Sequence, residues 1–343
     1  MRTRMAADKA GERMRKGKLP ENVWKRSVLK QINQTKREEV AGGAGIGENC
    51  AVFSFGSKEM TCMSIYTGCW PGKDTVRLAV HRSVNELAAS GAEPVAVDLS
   101  ALFPEGTEEE DIREMAAQAG AECRELGIQV AGFHIEVTGG VNRPAVTAAG
   151  IGRQTADGDG RFLKGIRPGQ DIVASKWIGL EGAYLLVKNR EKELLARYPS
   201  RLIQEAKEYD RFLSIVPEAA TAVKSGVCAM YSVSEGGIFG ALWEMAARAG
   251  VGLEIEWKKI PIKQETVEIC EFFEISPYEL ASGGCLLMMA ERGYDLARDL
   301  EKKGIAASVI GKTTDNNDKV VINGEERRFL EMPKTDGLHK VFG

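Results

Sequence analysis

The chain reads as an α/β protein of the less regular, α+β kind, arranged as two domains. Three features predict this. Apolar residues recur at helical spacing in some segments and alternate strictly in others; the two kinds of segment interleave unevenly; and a polar, Gly-rich stretch, Gln154 to Gly160, separates two halves of similar make-up. A length of 343 residues, 43% hydrophobic and 28% charged, suffices for two buried cores. The expected division is a basic arm over 1–16, an N-terminal domain over 17–155 and a C-terminal domain over 156–343.

The arm carries Arg2, Arg4, Lys9, Arg13, Arg15 and Lys16 against Asp8 and Glu12, the make-up of a solvated, frayed end. Val23 to Gln31 has helical spacing, and the run Ala41 to Gly47 breaks it before a short apolar strand, Ala51 to Phe55. Val76, Val80, Val84 and Leu87 form one helical stripe while His81 and Asn85 fall on another, so one face is expected to pack and the other to be free for polar work. Gly91 and Pro94 end that helix. Thr107 and Glu110 have the spacing of a capping box, from which Ile112, Met115, Ala116, Ala119, Cys123 and Leu126 continue as an amphipathic helix. Gln129 to Val137 alternates, with Ala131, Phe133, Ile135 and Val137 facing one way and Val130, Gly132, His134 and Glu136 the other. After a Gly139-Gly140 turn, Ala145 to Ile151 is a second strand. In the C-terminal half a strand is expected near Asp171 to Ser175, helices near Glu191 to Tyr198 and Leu202 to Leu213, a turn at Ser234 to Gly237, and a helix from Ile238 ending at Gly250.

The seven cysteines are scattered, odd in number and without a CxxC pair, which speaks against a disulfide framework or a zinc knuckle and for buried small hydrophobes. A net charge of −3 gives no general attraction to nucleic acid. No apolar run is long enough to cross a membrane and the basic start lacks the apolar segment of a secretory signal, so a cytoplasmic protein without membrane contact is expected.

Three polar constellations are candidates for anion binding: the loop Gly45-Ile46-Gly47-Glu48-Asn49, the pair Asn85-Glu86 on a helix, and Ser232-Val233-Ser234-Glu235-Gly236-Gly237 opening another helix. Glycines let backbone N–H groups approach a phosphate, and a helix N-terminus adds favourable partial charge. Each also has a plain structural reading, as a turn or a solvated face. His134 beside Glu136 is an acid/base or metal candidate, against the alternative of a strand histidine hydrogen-bonded to a carboxylate. No HExxH, GxSxG or Walker loop is present.

Taken in order, GKLP at Gly17, GAGIGENCAVF at Gly43, LAVHRSVNELAASGAEP at Leu78, FPEGT at Phe103, VNRP at Val141, KWIGLEGA at Lys176, SEGGIFGALWEMA at Ser234 and ASGG at Ala281 resemble the superfamily of aminoimidazole ribonucleotide synthetase, thiamine monophosphate kinase, selenophosphate synthetase and the hydrogenase maturation factors. The resemblance implies an N-terminal α/β domain whose strands join those of a second subunit in an intersubunit β-barrel, a C-terminal α/β domain, and a nucleotide bound between them. It implies ATP and magnesium as cofactors, with Gly45, Gly47, Asn49, Asn85, Ser232, Ser234, Glu235, Gly236 and Gly237 at the nucleotide. The apolar faces of the strands around Ala131 to Val137 and Ala145 to Ile151 are expected to be buried against the partner of a homodimer.

The metal positions are altered. Aspartates that hold magnesium in the family fall on Asn49, on or next to Ser64, on Glu86 and on Ser232, and the family's Gly-His-Thr-Glu strand motif reads Phe133-His134-Ile135-Glu136. Magnesium demands oxygens at about 2.0–2.1 Å, and neutral Asn and Ser donors do not offset its charge. The expectation is a degenerate homodimer that retains a nucleotide or metabolite cleft with weak or no magnesium–ATP chemistry. Two alternatives stay open. One is an active ATP-dependent enzyme that phosphorylates a carbonyl or amide oxygen of a small molecule, with Glu86, Glu136 and Glu235 as surviving acids; the other is a non-catalytic protein that binds a partner. The family's hydrogenase enzyme needs a carrier cysteine near its C-terminus, where this chain reads Leu338-His339-Lys340-Val341-Phe342-Gly343, which disfavours that particular activity.

Overall fold

The computed structural model describes residues 17–18, 21–32, 35–42, 52–155, 165–333 and 335–342. The basic arm over 1–16 and the loop carrying Gly45, Gly47 and Asn49 lie outside the described residues. The mixed α/β class holds. The chain forms two compact units, one drawing on residues up to 54, 65–80 and 95–150, the other on 55–64, 81–94 and 151–343.

One sheet is five-stranded, of order β1-β6-β5-β7-β4: β1 (Gly17–Lys18), β4 (Glu59–Gly68), β5 (Glu93–Pro104), β6 (Gln129–Thr138) and β7 (Ala145–Thr155). A separate two-stranded ribbon pairs β2 (Val40–Gly42) with β3 (Val52–Phe53). The helical stretch before it comprises α1 (Glu21–Val23), a π-helical segment Trp24–Leu29 and α2 (Lys30–Ile32). Helix α3 (Thr75–Ala89) precedes β5, and α4 (Glu109–Leu126) joins β5 to its parallel neighbour β6, so β5-α4-β6 is a crossover unit. The apolar stripe of α4, Ile112, Met115, Ala116, Ala119 and Cys123, is buried. The alternation of β6 holds from Ala131 onward, where Ala131, Phe133, Ile135 and Val137 are buried and Gly132, His134 and Glu136 are not; Val130, expected on the open face, is buried as well, next to a register shift in the pairing with β5.

That burial corrects the expected use of the apolar face. Ala131 to Val137 is buried within the single chain, with α4 packed on β6, and so is not held in reserve for a partner. The capping box also sits one residue later than its spacing suggested. Thr107 donates to Pro104 O at 2.8 Å, while Glu108 N donates to Asp111 Oδ2 at 3.2 Å. Gly127, at φ 68°, ends α4 in the left-handed conformation that glycine adopts without strain.

The second unit is built on a seven-stranded sheet of order β14-β13-β10-β12-β8-β11-β9. Its strands are β8 (Asp171–Ser175), β9 (Ala229–Ser232), β10 (Gly252–Glu256), β11 (Leu286–Ala290), β12 (Ala307–Thr314), β13 (Lys319–Asn323) and β14 (Glu326–Phe329). Its helices are α5 (Leu180–Leu195), α6 (Ser200–Lys207), α7 (Val216–Lys224), α8 (Gly237–Ala249), α9 (Gln264–Phe272), α10 (Gly293–Glu301) and α11 (Gly337–Phe342). Helix α5 begins earlier than its periodicity suggested because its first turns are buried all round, and Arg190, at φ −126°, kinks it. Ile172, Leu253, Ile255, Leu287 and Val321 form a core with α8 on one side of the sheet, and Val173, Leu286 and Met288 form another with α7 and α10 on the opposite side. Of the cysteines, Cys123, Cys270 and Cys285 are buried, but Cys62 and Cys228 are half-buried and Cys69 is exposed, so the expectation of buried small hydrophobes holds only in part.

Candidate functional site

The second half of α3 carries the polar residues of the site. Arg82, Asn85 and Glu86 are three and four apart, hence on one helical stripe. The free polar face expected there is not free: His81, Arg82 and Asn85 are all buried. Arg82 reaches two carboxylates, with Nε 2.9 Å and Nη2 2.6 Å from Glu181 Oε1 and Nη1 2.6 Å from Glu235 Oε1. Glu181, at the start of α5, is 1% exposed, and a Cβ on Gly283 would collide with its carboxylate, so the glycine leaves the space Glu181 occupies. Glu235 keeps 45% of its side chain in solvent.

Asn85 holds a backbone turn. Its Nδ2 donates to Leu213 O at 2.7 Å and its Oδ1 accepts from Ile215 N at 3.0 Å. Lys176 holds the same turn from another side, donating to Phe212 O at 2.8 Å and Ser214 O at 2.6 Å, and lies 2.5 Å from Glu218 Oε1. Burial pushes the Glu218 carboxyl up, and the Lys176 ammonium opposes that rise. Three successive carbonyls are thus satisfied by two buried side chains, which leaves the 212–215 turn little freedom.

Glu86 retains an exposed surface, but protein crowds its carboxylate. That desolvation raises its pKa, while a hydrogen bond with Ser232 and the Arg82 cation lower it and Glu244 raises it. Tyr231 donates its phenol to Glu244 and is likewise shifted upward, first by burial and then by that carboxylate. Ser64 donates to Ser83 O at 2.6 Å. Among the described residues no group of three or more His, Cys, Asp or Glu side chains is placed to hold a metal ion. Among the described residues, the groups that act on Glu86 are the Ser232 hydroxyl, the Arg82 guanidinium and the Glu244 carboxylate, the last tied to Tyr231.

At the start of α8, Gly236 and Gly237 take φ of 77° and 61°, and a Cβ on Gly237 would strike Tyr278 O. Ser234 O accepts from Gly237 N and Ser282 N, both at 3.2 Å. The chain's own Asp336 accepts from Gly236 N at 2.9 Å and from Leu338 N at 2.8 Å. Asp336 is buried, which raises its pKa against the lowering effect of these backbone donors. The donor expected to face a phosphate therefore faces a carboxylate from the C-terminal segment.

His134 and Glu136 project together from β6 in the first unit, Nε2 and Oε2 being 3.7 Å apart, each nearly half exposed. Sequence reasoning singled out Asn85, Glu86, Ser232 and Glu235, which the fold gathers in the second unit. It missed Arg82, Glu181, Glu244 and Asp336. Arg82 had a signal, since it precedes Asn85 and Glu86 by one helical turn; the others had none.

The sequence and the fold match an established family. The sequence profile of the AIR synthase related protein N-terminal domain matches residues 47–154, and that of the C-terminal domain matches residues 167–323. The chain belongs to the AIR synthase related family, and its similarity runs to the hydrogenase maturation proteins within it. It is 28% identical over 342 residues to a putative hydrogenase expression/formation protein of Methanocaldococcus jannaschii, covering 95% of this chain and 97% of the relative. It is 29% identical over 254 residues to the carbamoyl dehydratase HypE of Rhodobacter capsulatus, covering 71% of each. The crystal structure of a hydrogenase maturation protein HypE in complex with ATP superposes with a TM-score of 0.76 at 18% identity, covering 92% of this chain and 96% of that one, which establishes the shared fold.

Proposed function

We propose that this chain is a homodimeric, cytoplasmic member of the family, with domains over 17–155 and 156–343, that binds a nucleotide or small metabolite and has weak or no magnesium–ATP chemistry. The observation that carries this reading is Arg82. A buried guanidinium, fixed by Glu181 and Glu235, lies close enough to Glu86 to lower its pKa, at the position to which the family resemblance assigns a metal-bound aspartate. Arg82 occupies the space beside Glu86, and Ser64 and Ser232 contribute neutral oxygens where the family has carboxylates.

The test is calorimetric titration of ATP and of ADP, each with and without magnesium, together with a phosphate-release assay. The expected outcome is nucleotide affinity that changes less than about tenfold on adding magnesium, with no magnesium-dependent phosphate release. Turnover of ATP that requires magnesium and is abolished by Glu86→Ala would instead establish the competing reading, an ATP-dependent enzyme with Glu86, Glu136 and Glu235 as its acids. The carbamoyl dehydratases among its relatives keep that competitor in play.

A further inference from the structure

The seven-stranded sheet is covered unequally on its two sides. On the side of α7 and α10, those helices pack over β8, β11 and β12. Alternation along β10 and β13 turns Glu254, Glu256 and Ile322 to that same side beyond α10, where they line an open groove. The groove has two arms. One, of about 730 Å³, runs between α10 and residues 258–262; the other, of about 390 Å³, crosses β12, β10 and β13. Lys258, Lys259, Tyr294 and Val309 line both, so the arms meet there.

The lining has a definite chemistry. Ile260, Ala297 and Val309 supply an apolar floor, and Tyr294, 63% exposed, stands over the junction. Of the three acids that line the groove, Glu254 is engaged by Arg327 at 2.5 Å and Glu256 by Lys259 at 2.7 Å, while Glu301 of α10 lines the larger arm. Lys312 stands across the ladder from Glu254, yet neither it nor Lys258 has a carboxylate partner among the described residues. Two ammonium groups therefore flank an apolar trough against the single remaining acid, Glu301, which leaves the groove with an excess of positive charge.

The dimensions select the occupant. The α10 stripe from Tyr294 to Glu301 is about 10 Å long, and two strand spacings are also about 10 Å. Each arm takes about three residues of extended chain. Pockets for small ligands bury roughly 70–90% of the ligand surface, which so open a groove does not. We propose that this groove docks an acidic segment of a partner protein, its apolar side chains on the floor and its carboxylates on Lys258 and Lys312. This inference does not depend on what the Arg82 site binds.

Fluorescence anisotropy with the intact protein and labelled decapeptides tests it. The three probes alternate Glu with Leu, Lys with Leu, and Glu with Ser. The Glu/Leu peptide is expected to bind at least tenfold more tightly than either other. Lys258→Glu with Lys312→Glu should weaken it at least tenfold and turn the preference toward the Lys/Leu peptide, and Tyr294→Ala should weaken it severalfold. All three positions are exposed, so unchanged circular dichroism and Tm are expected alongside. Equal binding of the Glu/Leu and Lys/Leu peptides, binding untouched by charge reversal, or no binding of any probe overturns the proposal. Displacement of the peptide by inorganic pyrophosphate at equal concentration also overturns it, in favour of a small-anion site.

Discussion

Arg82 and Glu181 are both almost fully buried, and a buried guanidinium–carboxylate pair is tolerated only while each has the other. Arg82→Ala leaves Glu181 charged, buried and without its main partner, which is expected to cost about 3–5 kcal/mol of unfolding free energy in urea titration. Arg82→Ala combined with Glu181→Ala should cost less than Arg82→Ala alone, because the stranded charge is gone. A loss below about 1 kcal/mol for Arg82→Ala would mean the pair is not what orders this region. Glu109 is a different case. Hydrogen bonds from Arg26 and Ser27 hold its carboxyl down at about 2, against burial that acts the other way. A depressed carboxylate contributes stability that is fully present above its ordinary pKa of 4.5 and is lost as pH falls toward about 2. Glu109→Gln is therefore expected to lower stability by about 2 kcal/mol at neutral pH and by little near pH 2. Denaturation curves of both proteins across that window measure the convergence; a difference that does not shrink with acidification contradicts the assignment.

Among the elements, those whose boundaries were legible in the sequence carry local signals. The strand Asp171–Ser175 is a short apolar run between turns, and α8 is bounded by Gly236 and Gly250, both left-handed. The site was less legible for a physical reason. Arg82 meets Glu181 and Glu235 across 99 and 153 residues, and periodicity holds no information about pairs so far apart. The turn opening α8 shows both sides of this. Its Gly-Gly signature announced a concave set of backbone donors, but nothing local announced that Asp336, 100 residues on, would accept from Gly236 N. Asp336 also fixes α11 through Leu338 N. Asp336→Ala should then destabilise the chain by about 1–2 kcal/mol and raise amide exchange in Gly236 and Leu338, whereas Asp336→Asn, which keeps an oxygen acceptor, should lose less. Exchange unchanged in both variants would show that Pro333 and the packing of Gly337 against Ile275 hold the segment without it.

For the whole molecule, the question is what meets the surface that the five-stranded sheet leaves open. Burial of Ala131 to Val137 within the chain removes the face on which the dimer expectation rested, but it does not remove the expectation, because β4 supplies a better reason. β4 is an edge strand of ten residues, and its side chains alternate, with Met63 and Ile65 exposed by 70% and 68%. A long edge presents unpaired backbone donors and acceptors, and natural proteins protect such edges with charge, proline or a bulge. Here Met60, Met63 and Ile65 lie on it instead, which is the pattern expected of a surface that a partner covers. A homodimer that pairs or packs at β4 accounts for both features at once and agrees with the intersubunit barrel implied by family resemblance. Met63→Lys with Ile65→Lys places two charges on that surface without disturbing a buried side chain. The double variant is expected to sediment as a folded monomer of about half the native mass at micromolar concentration, with unchanged circular dichroism. If the natural protein is itself monomeric under those conditions, or if the variant remains a dimer, β4 is not the interface. An unchanged dimer would then direct attention to the exposed His134 and Glu136 face of β6, where a second charge-reversal pair would locate the contact.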